Sequence, residues 1–263
     1  MKTMRMILKR SWPLVLLLAA LAGCVTNEAG RHQLMLISKS DEMQLGVSSF
    51  EKMKQEMPIS KDGAANDMVR RVGERIKSVV NLENAQWEFV VFDSKEANAF
   101  CLPGGKIGVY TGILPIVKDD AGLATVLGHE VAHATLNHGA ERMSRAIATQ
   151  AFGQLSSSYI DSKNPKWTAA YGQLYGIGTG IAIELPHSRS QESEADKMGL
   201  FYMARAGYDP EAAVAFWQRF AEYAKQAGGS GTPVWLRTHP DDGTRIKQLK
   251  ELMPQAKAQY KPH

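Results

Sequence analysis

The sequence predicts an α+β fold, predominantly helical, with a small β-sheet beside one buried helix. Three observations predict it. From Ser38 onward, most apolar residues recur three and four positions apart, the period of one helix face. A single region switches to β-rich runs, Trp87–Phe92 and Lys106–Thr111, with Pro103-Gly104-Gly105 as a turn signal before the second. Finally, an otherwise apolar helical stretch carries His129, Glu130 and His133 in its middle. At 263 residues of ordinary globular composition, the chain is long enough for a real core.

In order along the chain, Met43, Val47, Phe50 and Met53 mark a first helix closed by Pro58. Asp62 or Asn66 caps a second, with Met68, Val72, Ile76 and Val79–Val80 on one face. The strand Trp87–Phe92 is followed by a loop containing Asn98-Ala99-Phe100, then the strand Lys106–Thr111, whose glycines suggest close backbone approach. Asp119 or Asp120 caps a long helix through Leu123, Leu127, Val131 and Leu136, continuing to about Gly153. Residues 154–180, rich in Ser, Gly, Ala and Tyr, fit a loop followed by a small-residue helix. Helices follow from Ser188 to Ala206, stopped by Gly207, and from Asp209-Pro210 to Ala227. Gly228–Gly231 is a loop, and Asp241 or Asp242 begins a last helix through Ile246, Leu249 and Leu252.

The first 23 residues read as a targeting segment rather than as part of the fold. Lys2, Arg5, Lys9 and Arg10 form a basic flank, and Leu14–Ala22 is an apolar run too short to span a bilayer comfortably. It ends in Leu21-Ala22-Gly23-Cys24, which resembles a bacterial lipobox, with lipidation expected at Cys24. Residues 24–37 then form a tether and 38–263 a single domain. The formal charge of +4 resides in those four basic residues, so the remainder is neutral and gives no case for nucleic-acid binding. With Cys24 lipidated, no intramolecular disulfide is available, and Cys101 is a free thiol, best read as a small hydrophobe.

The chemistry centres on His129-Glu130-Val131-Ala132-His133. Residues four apart on a helix project from one face about one turn apart, which suits two ligands of one metal. Glu130, rotated by roughly 100° from His129, can take a proton from water beside that metal. Zinc suits such a site because it lowers the pKa of water and polarises a carbonyl. A third ligand is needed, and Glu192 and Asp196 stand four apart on the later helix. One can ligate and the other orient a ligand histidine. Glu194 points elsewhere on that helix, and His138 reads as a supporting or structural residue.

HEVAH followed by Glu192-Ser193-Glu194-Ala195-Asp196 resembles the gluzincin metallopeptidases of family forty-eight. These include the CAAX, HtpX and Oma-type proteases and a branch of bacterial periplasmic lipoproteins. Further segments carry the resemblance over roughly Ser38–Met253: Asn98–Ile107, Leu185-Pro186-His187-Ser188-Arg189, and Thr238-His239-Pro240 with Arg245-Ile246. It implies a zincin-type domain with one Zn2+ held by His129, His133 and Glu192, and Asp196 supporting a ligand histidine. His239 is implied close to the metal, either assisting the transition state or occupying the open position, and Arg245 also lines the site. The one departure is His187, where the family carries an aromatic residue.

The resemblance also implies that Gly105, Lys106, Ile107, Gly108 and Val109 form the edge strand against which an extended substrate lies by β-augmentation. The expected activity is endopeptidase cleavage of extended or misfolded cell-envelope polypeptides, with Glu130 as general base and then acid. The expected location is a lipid anchor on the outer membrane facing the periplasm, since Val25 rather than Asp follows Cys24. The alternative is an envelope assembly factor or chaperone-like binding protein whose zinc site has low or autoinhibited protease activity.

Overall fold

A computed structural model describes residues 24–157, 187–227, 234–239 and 243–262. The targeting segment, most of 154–180, the glycine loop at 228–231 and Asp241–Asp242 lie outside the described residues. The elements in order are β1 (Cys24–Thr26), β2 (His32–Leu34), α1 (Lys39–Glu56), α2 (Gly63–Lys77), β3 (Glu88–Phe92), β4 (Ala99–Leu102) and β5 (Lys106–Tyr110). A 3-10 turn, Thr111–Ile113, leads to α3 (Leu114–Val117), α4 (Asp120–Thr135), α5 (His138–Ser157), α6 (Arg189–Arg205), α7 (Glu211–Ala227), α8 (Val234–Thr238) and α9 (Arg245–Lys257). The α+β, mostly helical fold is as the sequence predicts.

By compactness the chain divides into a smaller unit, residues 1–38 with 140–176, and a larger one, residues 39–139 with 177–263. In the smaller unit, the stretch expected as a tether contains an antiparallel hairpin, with Val25 opposite Gln33. Every predicted site residue except Cys24 belongs to the larger unit.

The larger unit is built around a three-stranded sheet of order β3-β5-β4. β5 runs parallel to β3, with Phe89 opposite Ile107, and antiparallel to β4, with Cys101 opposite Ile107. Two expectations are corrected here. Ala99–Leu102, expected as loop, is a strand: the Gly104 and Gly105 backbone at φ of 85° and 75° closes a hairpin that folds it back on β5. And Lys106–Val109 is the central strand, not an edge. Its backbone is paired on both sides, so it has no free row of hydrogen-bonding groups to offer a substrate. Its glycine serves internal packing, since a Cβ on Gly108 would lie 2.2 Å from the Phe100 ring. Lys106 is buried with Nζ donating to the Gln86 carbonyl at 2.7 Å.

Side-chain alternation sends the two faces of β5 into different cores. Ile107 and Val109 join Val72, Ile76, Leu123, Leu127 and Met203 in the main core. Tyr110 joins Phe50 of α1 with Phe92 and Phe100 in a smaller aromatic cluster. α4 begins where Asp119 accepts from the Gly122 amide at 2.8 Å. It does not run on to Gly153 as expected: Asn137, at φ of 54°, breaks it after Thr135 and α5 restarts at His138. α6 begins with a capping box between Ser188 and Gln191. α8 falls just before His239 and was missed, being only five residues long.

α4 and α6 pack together through a pair of glycines. A Cβ on Gly128 would sit 2.7 Å from the Gly199 carbonyl oxygen, and one on Gly199 would sit 2.7 Å from the His129 amide nitrogen. Only residues without a side chain allow this approach, and it brings the helix carrying His129 against the helix carrying Asp196.

Candidate metal centre

α4 is buried along nearly its whole length, so His129, Glu130 and His133 enter the protein interior together. The one-turn spacing aims both imidazoles at one point, with their Nε2 atoms 3.0 Å apart. Glu192, in the first turn of α6, brings Oε1 to 3.3 Å from His133 Nε2 and Oε2 to 3.6 Å from His129 Nε2. α8 carries the chain to His239, which is buried on the same point. One ligand atom from each of His129, His133, Glu192 and His239 lies within 4.8 Å of all the others. The structure thus assembles the three expected ligands and adds His239 as a fourth donor.

The surroundings fix these groups. His129 Nδ1 faces Asp196 Oδ1 at 2.9 Å, and a carboxylate only accepts, so the proton sits on Nδ1 and Nε2 is left as a ligand. His239 Nδ1 faces the Trp235 carbonyl at 3.1 Å and Thr238 Oγ1 at 2.9 Å. The carbonyl again puts the proton on Nδ1, so His239 presents a bare Nε2, the form that ligates a metal rather than donates to an oxyanion. Burial is the main cause that pushes its pKa down to about 3, keeping the ring neutral. Arg245, expected to line the site, does so as a clamp on two of its carboxylates. Its Nε donates to Asp196 Oδ2 at 2.6 Å, its Nη2 donates to Glu192, and its guanidinium carbon lies 3.9 Å over the Trp217 ring. Nε and Nη2 thus position two carboxylates, while Nη1 is buried without a hydrogen bond.

Two residues important to this arrangement carried no sequence signal. Trp235 Nε1 donates to Glu130 Oε1 at 2.7 Å, holding that carboxylate in place. Trp217 supplies the face on which Arg245 stacks. Both look like ordinary core aromatics in a helical pattern. His187, the departure from the family pattern, stacks on His133 with ring centroids 3.7 Å apart. Cys101, on β4, lies near Glu130, and burial together with that charge holds its thiol well above the usual range. It is an inert thiol, in keeping with its reading as a small hydrophobe.

The donors fit zinc. His239 Nε2 and Glu192 Oε1 are buried and make no hydrogen bond. Glu192 and Asp196 are buried against one guanidinium, Arg245, and Glu130 is buried near them, so the cluster is rich in negative charge that a divalent cation offsets. Burial opposes charge on His129, yet Asp196 and Glu192 outweigh it and push its pKa up to about 10. A positive charge is favoured at this point. Two imidazoles and a carboxylate form the ligand type of catalytic zinc sites.

Residues 64–253 match Peptidase family M48. The mitochondrial metalloendopeptidase OMA1 of Schizosaccharomyces pombe is 37% identical over 188 residues, 72% of this chain and 53% of its own. The human mitochondrial metalloendopeptidase OMA1 is 33% identical over 247 residues, 88% of this chain and 46% of its own. The β-barrel assembly-enhancing protease of Escherichia coli is 25% identical over 236 residues, 85% of this chain and 47% of its own. The chain therefore spans about half the length of the curated relatives it matches.

Proposed function

The chain belongs to peptidase family M48, and from that premise we propose that it is a zinc-dependent metalloendopeptidase acting on extended or misfolded cell-envelope polypeptides. One observation carries this reading: Glu130 is buried beside the convergent His129, His133 and Glu192, with one of its oxygens anchored by Trp235. When bound, zinc supplies Lewis acidity, lowering the pKa of water toward neutrality and polarising a carbonyl. Glu130 accepts the proton of the attacking water and returns it to the leaving amine. Asp196 and Arg245 hold His129 and Glu192 in place.

With β5 fully paired, the substrate-binding role passes to β4. It pairs only with β5 in its sheet, and α4 packs against it. An extended peptide added along β4 runs along the strand against which the Glu130 helix packs. Such binding requires an unfolded segment, which supports a quality-control role. That two relatives are named for metalloendopeptidase activity and another for enhancing β-barrel assembly is in keeping with it. The proposal includes a lipid anchor at Cys24, on the outer membrane facing the periplasm; the lipobox-like Leu21–Cys24 and the exposure of Cys24 support it. Among the described residues no helix is long and apolar enough to cross a membrane.

The test is cleavage of an unfolded polypeptide by the purified protein. A chelator abolishes cleavage, zinc restores it, and Glu130→Gln lowers it by about 100- to 10,000-fold with zinc still bound. Full activity in Glu130→Gln, or after complete zinc removal, refutes the proposal. A second reading, a restrained enzyme that acts mainly as an assembly factor, draws on one specific observation: His239 Nε2 stands in the ligand group, where it takes the position a water needs. Replacing His239 with Ala raises cleavage if that reading holds and lowers it if His239 assists the reaction.

A further inference from the structure

We propose that His138 and Glu194 are positioning residues for the metal centre: the Glu194 carboxylate, acting through the His138 ring, sets the tautomer and orientation of the ligand His133. The inference rests on the zinc-site reading and assigns a role to two residues that the reading leaves unused.

His138 opens α5 directly after the left-handed Asn137. That turn brings the residue back against its neighbour on α4, with His138 Nδ1 2.8 Å from His133 Nδ1. Its other nitrogen, Nε2, lies 3.0 Å from Glu194 Oε2 on α6. His138 is fully buried, and the Glu194 side chain is 14% exposed. Gln191, the capping-box residue of α6, donates its Nε2 to the His138 carbonyl at 3.4 Å. The helix that presents Glu192 to the metal thus also locates His138.

Proton positions follow from donor and acceptor chemistry. A carboxylate accepts only, so His138 Nε2 carries a proton toward Glu194. The neutral ring then has a bare Nδ1, which accepts from His133 Nδ1–H across the 2.8 Å contact. With its proton on Nδ1, His133 has a bare Nε2, the atom that lies 3.0 Å from His129 Nε2 in the ligand group. In the opposite ordering His138 donates from Nδ1, the His133 proton moves to Nε2, and the ligand lone pair is lost. Glu194 selects the ordering in which His133 ligates. His129 reaches the same state with Asp196 in direct contact, so the two ligand histidines are held by one carboxylate each, one directly and one through an intervening imidazole.

His133, His138 and His187 also form a group whose ligand atoms lie within 4.8 Å of one another. The geometry favours the hydrogen-bonded chain over a second ion. His187 and His133 overlap ring on ring at 3.7 Å and 34°, whereas co-ligands of one ion turn their nitrogens toward a common point.

The experiment measures metal content, zinc affinity by chelator competition, and the visible spectrum of the cobalt-substituted protein, for the full chain and for Glu194→Gln and His138→Leu. Glu194→Gln keeps the shape and removes the charge at a partly exposed position, so it guards against misfolding of His138→Leu. We expect one zinc per chain in the wild type and zinc binding about 10- to 100-fold weaker in both variants. We expect shifted cobalt bands in Glu194→Gln as well, at unchanged far-UV circular dichroism and unchanged stability of the zinc-free protein. Zinc affinity and cobalt spectrum in folded Glu194→Gln within about twofold of wild type overturn the inference. So does a second equivalent of metal in the wild type that is lost in His138→Leu. A wild-type protein that binds no zinc overturns the zinc-site reading itself, and this inference with it.

Discussion

Two buried carboxylate centres in this protein are balanced in opposite ways. In the smaller unit, Glu141 is fully buried and accepts from both Nη atoms of Arg31 at 2.7 Å, from Arg145 at 2.5 Å and from Gln33 at 3.1 Å. Two guanidinium groups serve one carboxylate, and the arrangement ties the β1–β2 hairpin to the first turns of α5. In the larger unit, Glu192 and Asp196 share one guanidinium, Arg245, with Glu130 buried in the same centre. Both centres meet the cost of burying charge, but in the first two guanidinium groups serve one carboxylate and in the second one guanidinium serves two. The deficit, rather than the burial, distinguishes a site built for an external cation from a latch.

The most severe way to break the comparison is Glu192→Gln. It removes a ligand and one of the two carboxylates on Arg245, so zinc content falls from about one per chain to near none, measured by elemental analysis, and cleavage is lost with it. Next is Glu141→Gln, which leaves two cations facing a neutral amide. Unfolding in denaturant, followed by circular dichroism, becomes easier by about 3 kcal/mol, with zinc content unchanged. If Glu141→Gln loses zinc and keeps its stability, the two centres are not separate in role. Trp235→Phe tests the anchoring of Glu130: it deletes one hydrogen bond to a charged group, worth about 1.5–3 kcal/mol. The kcat falls about tenfold or more while zinc affinity holds.

The smallest effect sharpens the contrast with a surface carboxylate. Burial pushes Glu88 up, but hydrogen bonds from Lys54 and Lys106 outweigh it and hold its carboxyl below the ordinary value. A depressed folded pKa adds stability above the unfolded value, near 4.3, and that stability is lost as pH falls through the folded value. The gap in denaturation midpoint between wild type and Glu88→Gln is therefore present at pH 7 and closes as acidification takes the pH through the folded value. It stays below about 1 kcal/mol, because the group is a third exposed.

Much of this was legible in local pattern. Apolar periodicity and caps placed α1, α2, α6 and α9 to within a few residues, because those signals act within one helix turn. Asp62 caps as expected, and the helix expected from Ser188 starts there. Strand β4 was not legible: four residues carry too little pattern, and pairing across the Gly104-Gly105 turn creates the strand. That pairing also decides which strand is central, so the substrate edge read onto Lys106–Val109 moved to β4. The break at Asn137 escaped notice because asparagine is also tolerated within a helix, and only the observed φ of 54° shows the turn.

The sequence by itself determined the fold class, the metal-binding helix and the ligand types, since residues four apart on a helix share a face whatever surrounds them. Only the tertiary structure decided the partners. Gly128 and Gly199 let α4 and α6 approach until Asp196 meets His129. Arg245 lines the site as a clamp, Trp235 proved to be the anchor of Glu130, and His138 came to stand between His133 and Glu194. Those contacts join residues 49 to 105 positions apart, apart from the short loop through Asn137. At such separations only packing brings donors to acceptors, and no local spacing rule encodes it.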